Sequence, residues 1–106
     1  MKEEYKIQIT NKALKDMEEI YYYILNVFKS PEIAINQYRR IAMVIKSLNI
    51  FPERVKIMES RLEKEVGLRQ IRVDNYSVFY VIQADSVIVT RVIYSASDIG
   101  KRLADK

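Results

Sequence analysis

The chain has 106 residues, 49% of them hydrophobic and 30% charged, with a net charge of +4 and a pI near 9.3. That suffices for one domain with its own core, residues 1–106, and is too short for two. Cysteine and histidine are both absent, which excludes disulfides, thiolate or imidazole metal sites and a Ser–His triad, and removes the usual general base near neutral pH.

No apolar run approaches the roughly 20 residues of a membrane helix. The start, Met1 to Tyr5, lacks the apolar stretch of a signal peptide. The expectation is a soluble cytoplasmic protein with no cofactor and no metal. The basic residues are scattered, so charge alone does not choose between a plain basic surface and an anionic partner.

Tyr5 to Thr10 alternates apolar and polar residues, the mark of a strand with one wet face. Asn11 is placed to cap a helix whose stripe is Leu14, Met17, Tyr21, Ile24, Leu25 and Phe28, with Lys15, Asp16, Glu18 and Glu19 on the opposite face. The run Tyr21-Tyr22-Tyr23 resembles a base-stacking platform. On a helix, however, the three rings point in different directions, which puts Tyr21 in the core and Tyr22 or Tyr23 at its rim. Ser30-Pro31-Glu32 starts a second helix: a cap, a proline in the first turn, and an acid at the positive end of the dipole. Its stripe is Ala34, Tyr38, Ile41, Ala42, Ile45 and Leu48, and it must stop near Phe51 because Pro52 follows.

Glu53 to Val66 mixes four acids with four bases, and its apolar residues fit neither period. It reads as a long surface connection with room for a helical turn, ended by Gly67. Three strands follow: Leu68–Val73, Tyr76–Ile82 and Val87–Tyr94, rich in Val, Ile, Tyr and Phe and separated by Asp74-Asn75 and by Gln83 to Ser86. Ser97 is placed to cap a short last helix with Ile99 and Leu103 on one face, weakened by Gly100. The order describes an α+β domain. A small antiparallel sheet, the N-terminal strand plus a C-terminal meander, packs against a helical hairpin, and a short helix ends the chain.

No glycine-rich phosphate loop is present, and the carboxylate pairs Glu18-Glu19 and Glu63-Glu65 read as solvated surface. Chemistry, if any, falls to basic and aromatic residues of the sheet. In the first meander strand Gln70 and Arg72 point away from Ile71 and Val73. The third strand carries Arg91 and ends in Tyr94. Such a face suits a phosphate or an acidic peptide, unless the arginines merely pair with acids or lie over apolar surface.

The series Ile9-Thr10, Ala13, Asp16, Glu19-Ile20, Tyr23-Ile24, Pro31, Ala34, Ser47-Leu48 and Phe51-Pro52, then Gly67-Leu68-Arg69, Asn75 to Tyr80, and Arg91 to Tyr94 with Asp98 resembles the RelE/ParE superfamily. These are the toxins of type II toxin–antitoxin modules, also called plasmid stabilisation proteins. The resemblance covers nearly the whole chain and implies a small sheet with a helical hairpin. RelE-like members cut mRNA on the ribosome with a basic cluster; ParE-like members act on DNA gyrase. Where the ribonucleases carry arginines this chain has Ser77 and Ser97, and it offers Gln70 and Arg72 for two lysines and Leu103 for a terminal aromatic. It also has Ala96-Ser97 where ParE-like chains often have two arginines.

The front half is closer to the ParE side. The resemblance therefore implies growth arrest through binding gyrase, more a binding module than an enzyme. The alternatives are a ribosome-dependent mRNA endonuclease using Arg72, Arg91 and Tyr94, and a toxin-fold relic without activity. A cognate antitoxin is implied in each case of an active toxin. The expected target- or antitoxin-binding residues are Arg69, Gln70, Arg72, Ser77, Arg91 and Tyr94, with the sheet face away from the helices left free and bearing Arg72 and Arg91.

Overall fold

The meander forms as its β-branched and aromatic runs dictate. In a computed structural model, which describes residues 4–97 and 99–104, β2 (Arg69–Val73), β3 (Tyr76–Gln83) and β4 (Ser86–Tyr94) pair antiparallel in sequence. The turns are tight. Asp74 and Ala84 both take left-handed backbone, with φ of 55° and 52°, so the second hairpin closes on Ala84-Asp85 while Gln83 and Ser86 pair with each other. A register shift between Phe79 and Tyr80 leaves Thr90 as a bulge in β4. The first strand, β1 (Lys6–Ile9), joins β4 in parallel, giving the order β1-β4-β3-β2. The sheet is thus antiparallel within the meander and parallel at its N-terminal edge.

Helix α1 (Asn11–Phe28) and helix α2 (Pro31–Ser47) form the expected hairpin over one face. Ala13, Met17 and Ile24 of α1 and Ala34, Ile41 and Ile45 of α2, with Leu48 just beyond it, meet Val73, Tyr76, Val78, Tyr80, Val87, Val89 and Val92 of the sheet in one core. Ala13 and Ala34 are fully buried; with no side chain beyond Cβ, they let backbone approach backbone. The buried arc of α1 is rotated from the expected stripe. Leu14 and Phe28 are exposed, and Asp16 is buried. Tyr21 is half-buried and Tyr22 and Tyr23 are exposed, as their directions on the helix require.

The cap of α1 is Thr10, not Asn11, which is already helical. The Thr10 hydroxyl accepts from the Ala13 N–H at 3.1 Å and donates to the Thr90 carbonyl at 3.2 Å. One side chain thus caps a helix and holds it to the bulge of β4. Ser30 caps α2 as expected, accepting from Ile33 N at 3.2 Å. Thr10→Ala is accordingly expected to cost about 1–2 kcal/mol and Ser30→Ala about 1 kcal/mol in urea denaturation. Equal costs would show that the bond to Thr90 contributes nothing.

The connection from Glu53 to Val66 is more ordered than its sequence suggests. Pro52–Arg54 forms a single helical turn, and α3 (Arg61–Val66) ends at Gly67, whose φ of 72° suits glycine. Between them Ile57 bridges Arg69, and Met58 N–H donates to the Leu68 carbonyl at 2.8 Å. This places Met58 on the second face of the sheet. There Leu68, Phe79 and Ile93 form a smaller core, packed by Met58, Val81 and the Ile99 and Leu103 side chains of α4 (Ile99–Ala104). The face expected to be free is therefore partly covered. A sheet with apolar residues on both faces must bury both.

Candidate functional site

Pairing register divides the nominated residues between the two faces. Across the sheet Gln70 aligns with Phe79 and Arg91, and Arg72 with Ser77 and Ile93; these rows lie on the face away from the helical hairpin. Arg69 aligns with Tyr80 and Val89, and Val73 with Tyr76 and Tyr94; these lie on the hairpin side. Tyr94 stands edge-on to Tyr76, ring centroids 5.8 Å apart. The structure does not bring Tyr94 together with Arg72 and Arg91.

Of the nominated residues on the outer face, Gln70, Arg72, Ser77 and Arg91, Arg72 is the one that is exposed. Ser77 is fully buried; it takes a hydrogen bond from Gln70 Nε2 at 2.9 Å and shares one with the Ser95 hydroxyl at 2.8 Å. The position is neutral and already satisfied. Ser97 closes the following turn, its hydroxyl donating to the Tyr94 carbonyl at 2.5 Å. Asp98 lies outside the described residues. Arg69 ties down the 53–55 backbone, donating to the Glu53 carbonyl at 3.3 Å and to the Val55 carbonyl.

Arg91 has a structural place that sequence alone did not assign. Its guanidinium grips Asp16 through Nε at 2.7 Å and Nη2 at 3.1 Å, and Nη1 donates to the Arg102 carbonyl of α4 at 2.8 Å. Asp16 also accepts from the Val92 N–H at 2.9 Å. Asp16 is 6% exposed and Arg91 7%. Strand β1 stops pairing at Val89, so the edge of β4 beyond it would be bare. Thr10, the cap of α1, and Asp16 within α1 satisfy that edge instead.

Beside this joint the chain forms an apolar groove of about 680 Å³. Tyr23, Val27 and Phe28 of α1 form one wall, Ile33 of α2 the end, and Tyr76 and Tyr94 the floor, with Glu19 and Arg102 also lining it. Tyr23 is 63% exposed and Phe28 59%. Clustered aromatic and aliphatic side chains left in water mark an interaction surface. Phe28 lies within the apolar period of α1, which is why periodicity assigned it to the core. The excess of apolar residues in the last turn of α1 was the available signal.

The comparisons agree with this architecture. Residues 7–99 match the family described as the ParE toxin of the type II toxin–antitoxin system parDE. The chain belongs to the ParE toxin family. It is a toxin of the type II class by that membership. Solved structures resemble this ParE-family toxin at low identity and so speak for the fold. One is a chromosomal ParDE system from Pseudomonas aeruginosa, with TM-score 0.73 and 18% identity over 85% of this chain and 95% of that one. A RelBE toxin–antitoxin complex from Mycobacterium tuberculosis gives TM-score 0.62 and 21% identity over 92% and 98%. A conserved protein from Helicobacter pylori gives 0.54 and 15% over 88% and 97%. Among proteins of curated function no significant match is found.

In this ParE-family toxin two joints between elements carry shifted titrations. Hydrogen bonds from Arg40 (2.6 and 2.8 Å) and Gln37 (3.0 Å) hold the Asp74 carboxyl below the usual carboxylate range, clamping the β2–β3 turn to α2. The Tyr5 hydroxyl, 2.5 Å from Glu53, lowers the Glu53 carboxyl and is itself raised. Burial pushes the Tyr80 and Tyr76 phenols up. A depressed carboxylate contributes stability that is present above its unfolded value, near pH 4, and is lost as pH falls through its folded value. Asp74→Asn should therefore lower Tm near neutral pH, and the gap to the parent should close below about pH 4. A gap that stays constant with pH would remove the ionic part of this clamp. Among the described residues no group of three or more acidic side chains is placed to hold a metal ion, and no helix is long and apolar enough to cross a membrane.

Proposed function

We propose that this toxin arrests growth by binding a protein target, DNA gyrase being the favoured one, and that it does not cleave RNA. The carrying observation is the separation of the would-be nuclease groups. A phosphodiester cleavage site needs its acid, base and charge stabiliser within hydrogen-bond reach of one phosphate. Tyr94 lies on the hairpin side of the sheet, Arg72 on the other, and the Arg91 guanidinium is already engaged by Asp16 and the Arg102 carbonyl. At the ribonuclease positions Ser77 and Gln70 bond to each other and bring no charge. The working compartment under this reading is the cytoplasm.

A cognate antitoxin is the second partner in this proposal, supported by the likeness to a ParDE system and a RelBE complex. Its seat is the groove rather than the Arg72–Arg91 face. The groove offers exposed apolar side chains with Arg102 among its lining, which suits an antitoxin segment with apolar anchors and an acid. Arg91 is buried, so its charge reversal would report on folding and not on binding; Arg72 alone remains a surface probe.

Inducing the toxin without its antitoxin, with plasmid topology and mRNA 5′ ends scored together, tests the target. The expected result is growth arrest with altered supercoiling and no new 5′ ends inside translated codons. Codon-phased cleavage with normal topology would establish the nuclease reading instead, and unimpaired growth during soluble expression the relic.

A further inference from the structure

On the side of the hairpin away from that groove, α1 and α2 leave a shallow notch of about 200 Å³ lined by Glu18, Tyr21, Tyr22, Ile35 and Tyr38. Tyr22 and Tyr38 each stand at nearly a right angle to Tyr21, at 87° and 89°, with ring centroids 5.2 and 6.4 Å away. Glu18 precedes Tyr21 and Tyr22 by about one helical turn, so its carboxylate rises on the same flank of α1. Glu18 is exposed and has no ion-pair partner among the described residues. Tyr21 and Tyr38 are half-buried and also pack against the main core, whereas Glu18 and Tyr22 are exposed.

We propose that this notch is a receptor for an arginine side chain of a partner protein. Aromatic rings attract cations through the negative potential of their faces. A carboxylate at the rim selects the same sign of charge. It also disfavours a nucleic-acid strand, whose phosphates it would repel, although a row of tyrosines alone would suit stacked bases. Guanidinium fits better than a compact or quaternary ammonium. It is planar, so it stacks on a ring, and its edge N–H groups can donate to Glu18 while its methylene stem lies along Ile35. The site is independent of the toxin's target and lies apart from the groove assigned to the antitoxin.

The test titrates the intact protein with N-acetyl-arginine amide, following the ring resonances of Tyr21, Tyr22 and Tyr38 by NMR. N-acetyl-citrulline amide, a neutral isostere, and choline are run in parallel. Saturable shifts confined to those rings are expected with the arginine compound and not with citrulline. Tyr22→Leu keeps apolar area but removes the ring face, and should weaken binding about fivefold. Glu18→Gln should weaken it about threefold and flatten its salt dependence. Both positions are exposed, so the variants fold. Equal binding of citrulline, unchanged affinity in Tyr22→Leu, or no saturable shift would overturn the proposal. Choline binding more tightly than arginine would overturn the assignment to arginine.

Discussion

Asp16→Ala is expected to destabilise the fold by about 3–5 kcal/mol, the cost of leaving one partner of a buried ion pair behind. The carboxylate accepts three hydrogen bonds, two from the Arg91 guanidinium and one from the Val92 N–H. Removing it strands a charge that is only 7% exposed and leaves a strand-edge N–H without its acceptor. For a domain of this size that is a large share of a total near 5–15 kcal/mol. Arg91→Ala should cost a similar amount, because Asp16 is then the buried unpaired charge, and the bond to the Arg102 carbonyl is lost as well. The double substitution Asp16→Ala with Arg91→Ala should cost clearly less than the sum of the singles, since no charge remains stranded. Urea denaturation of the four proteins measures this cycle. Additive losses would mean that the two side chains are stabilised separately. Limited proteolysis adds a second readout: α4 should become cleavable in Arg91→Ala before the rest of the domain opens.

The second large effect is expected in the groove. Phe28→Glu should weaken antitoxin binding by about 100-fold or more, the scale of a lost apolar anchor at an interface centre, and Tyr23→Glu should act in the same direction. Both side chains are more than half exposed, so thermal stability should change little. The control is Leu62→Glu on α3, more exposed still at 72% and outside the groove. Calorimetric titration with the cognate antitoxin gives the affinities, and growth rescue on co-expression gives the consequence in cells. Full affinity in Phe28→Glu, or an equal loss in Leu62→Glu, would move the antitoxin seat elsewhere on the surface.

The two predictions meet at the same seam for a physical reason. Strand β4 outruns β1, and α1 crosses the bare edge. On the N-terminal side of that crossing Thr10 and Asp16 satisfy the edge with polar groups. Beyond it, Tyr23, Val27 and Phe28 overhang Tyr76 and Tyr94 without covering them completely. The fold thus leaves an exposed apolar groove beside the buried Asp16–Arg91 joint.

Local pattern by itself determined a good deal here. Alternation and β-branched content placed the meander, and Asp74-Asn75 marked its first turn. Ser30-Pro31 started the second helix, which ends at Ser47, before the limit near Phe51 that Pro52 set, and Gly67 ended the connection before β2. The lack of histidine and cysteine narrowed the chemistry before any fold was known. Each of these signals acts within a few residues, through backbone dihedrals, hydrogen-bond competition or side-chain alternation.

Tertiary structure alone decided the rest. It set β1 parallel to β4 and turned Asp16 inward from an apparently polar flank. It left Phe28 in water, laid Met58 and α4 over the second face of the sheet, and put Tyr94 on the other side from Arg72. The Asp16–Arg91 pair shows why. Its members are 75 residues apart, and a carboxylate on a helix reads the same whether it will meet solvent or a guanidinium. Only the closure of the chain, which brings the end of β4 under the first turns of α1, gives that carboxylate a buried partner in place of water.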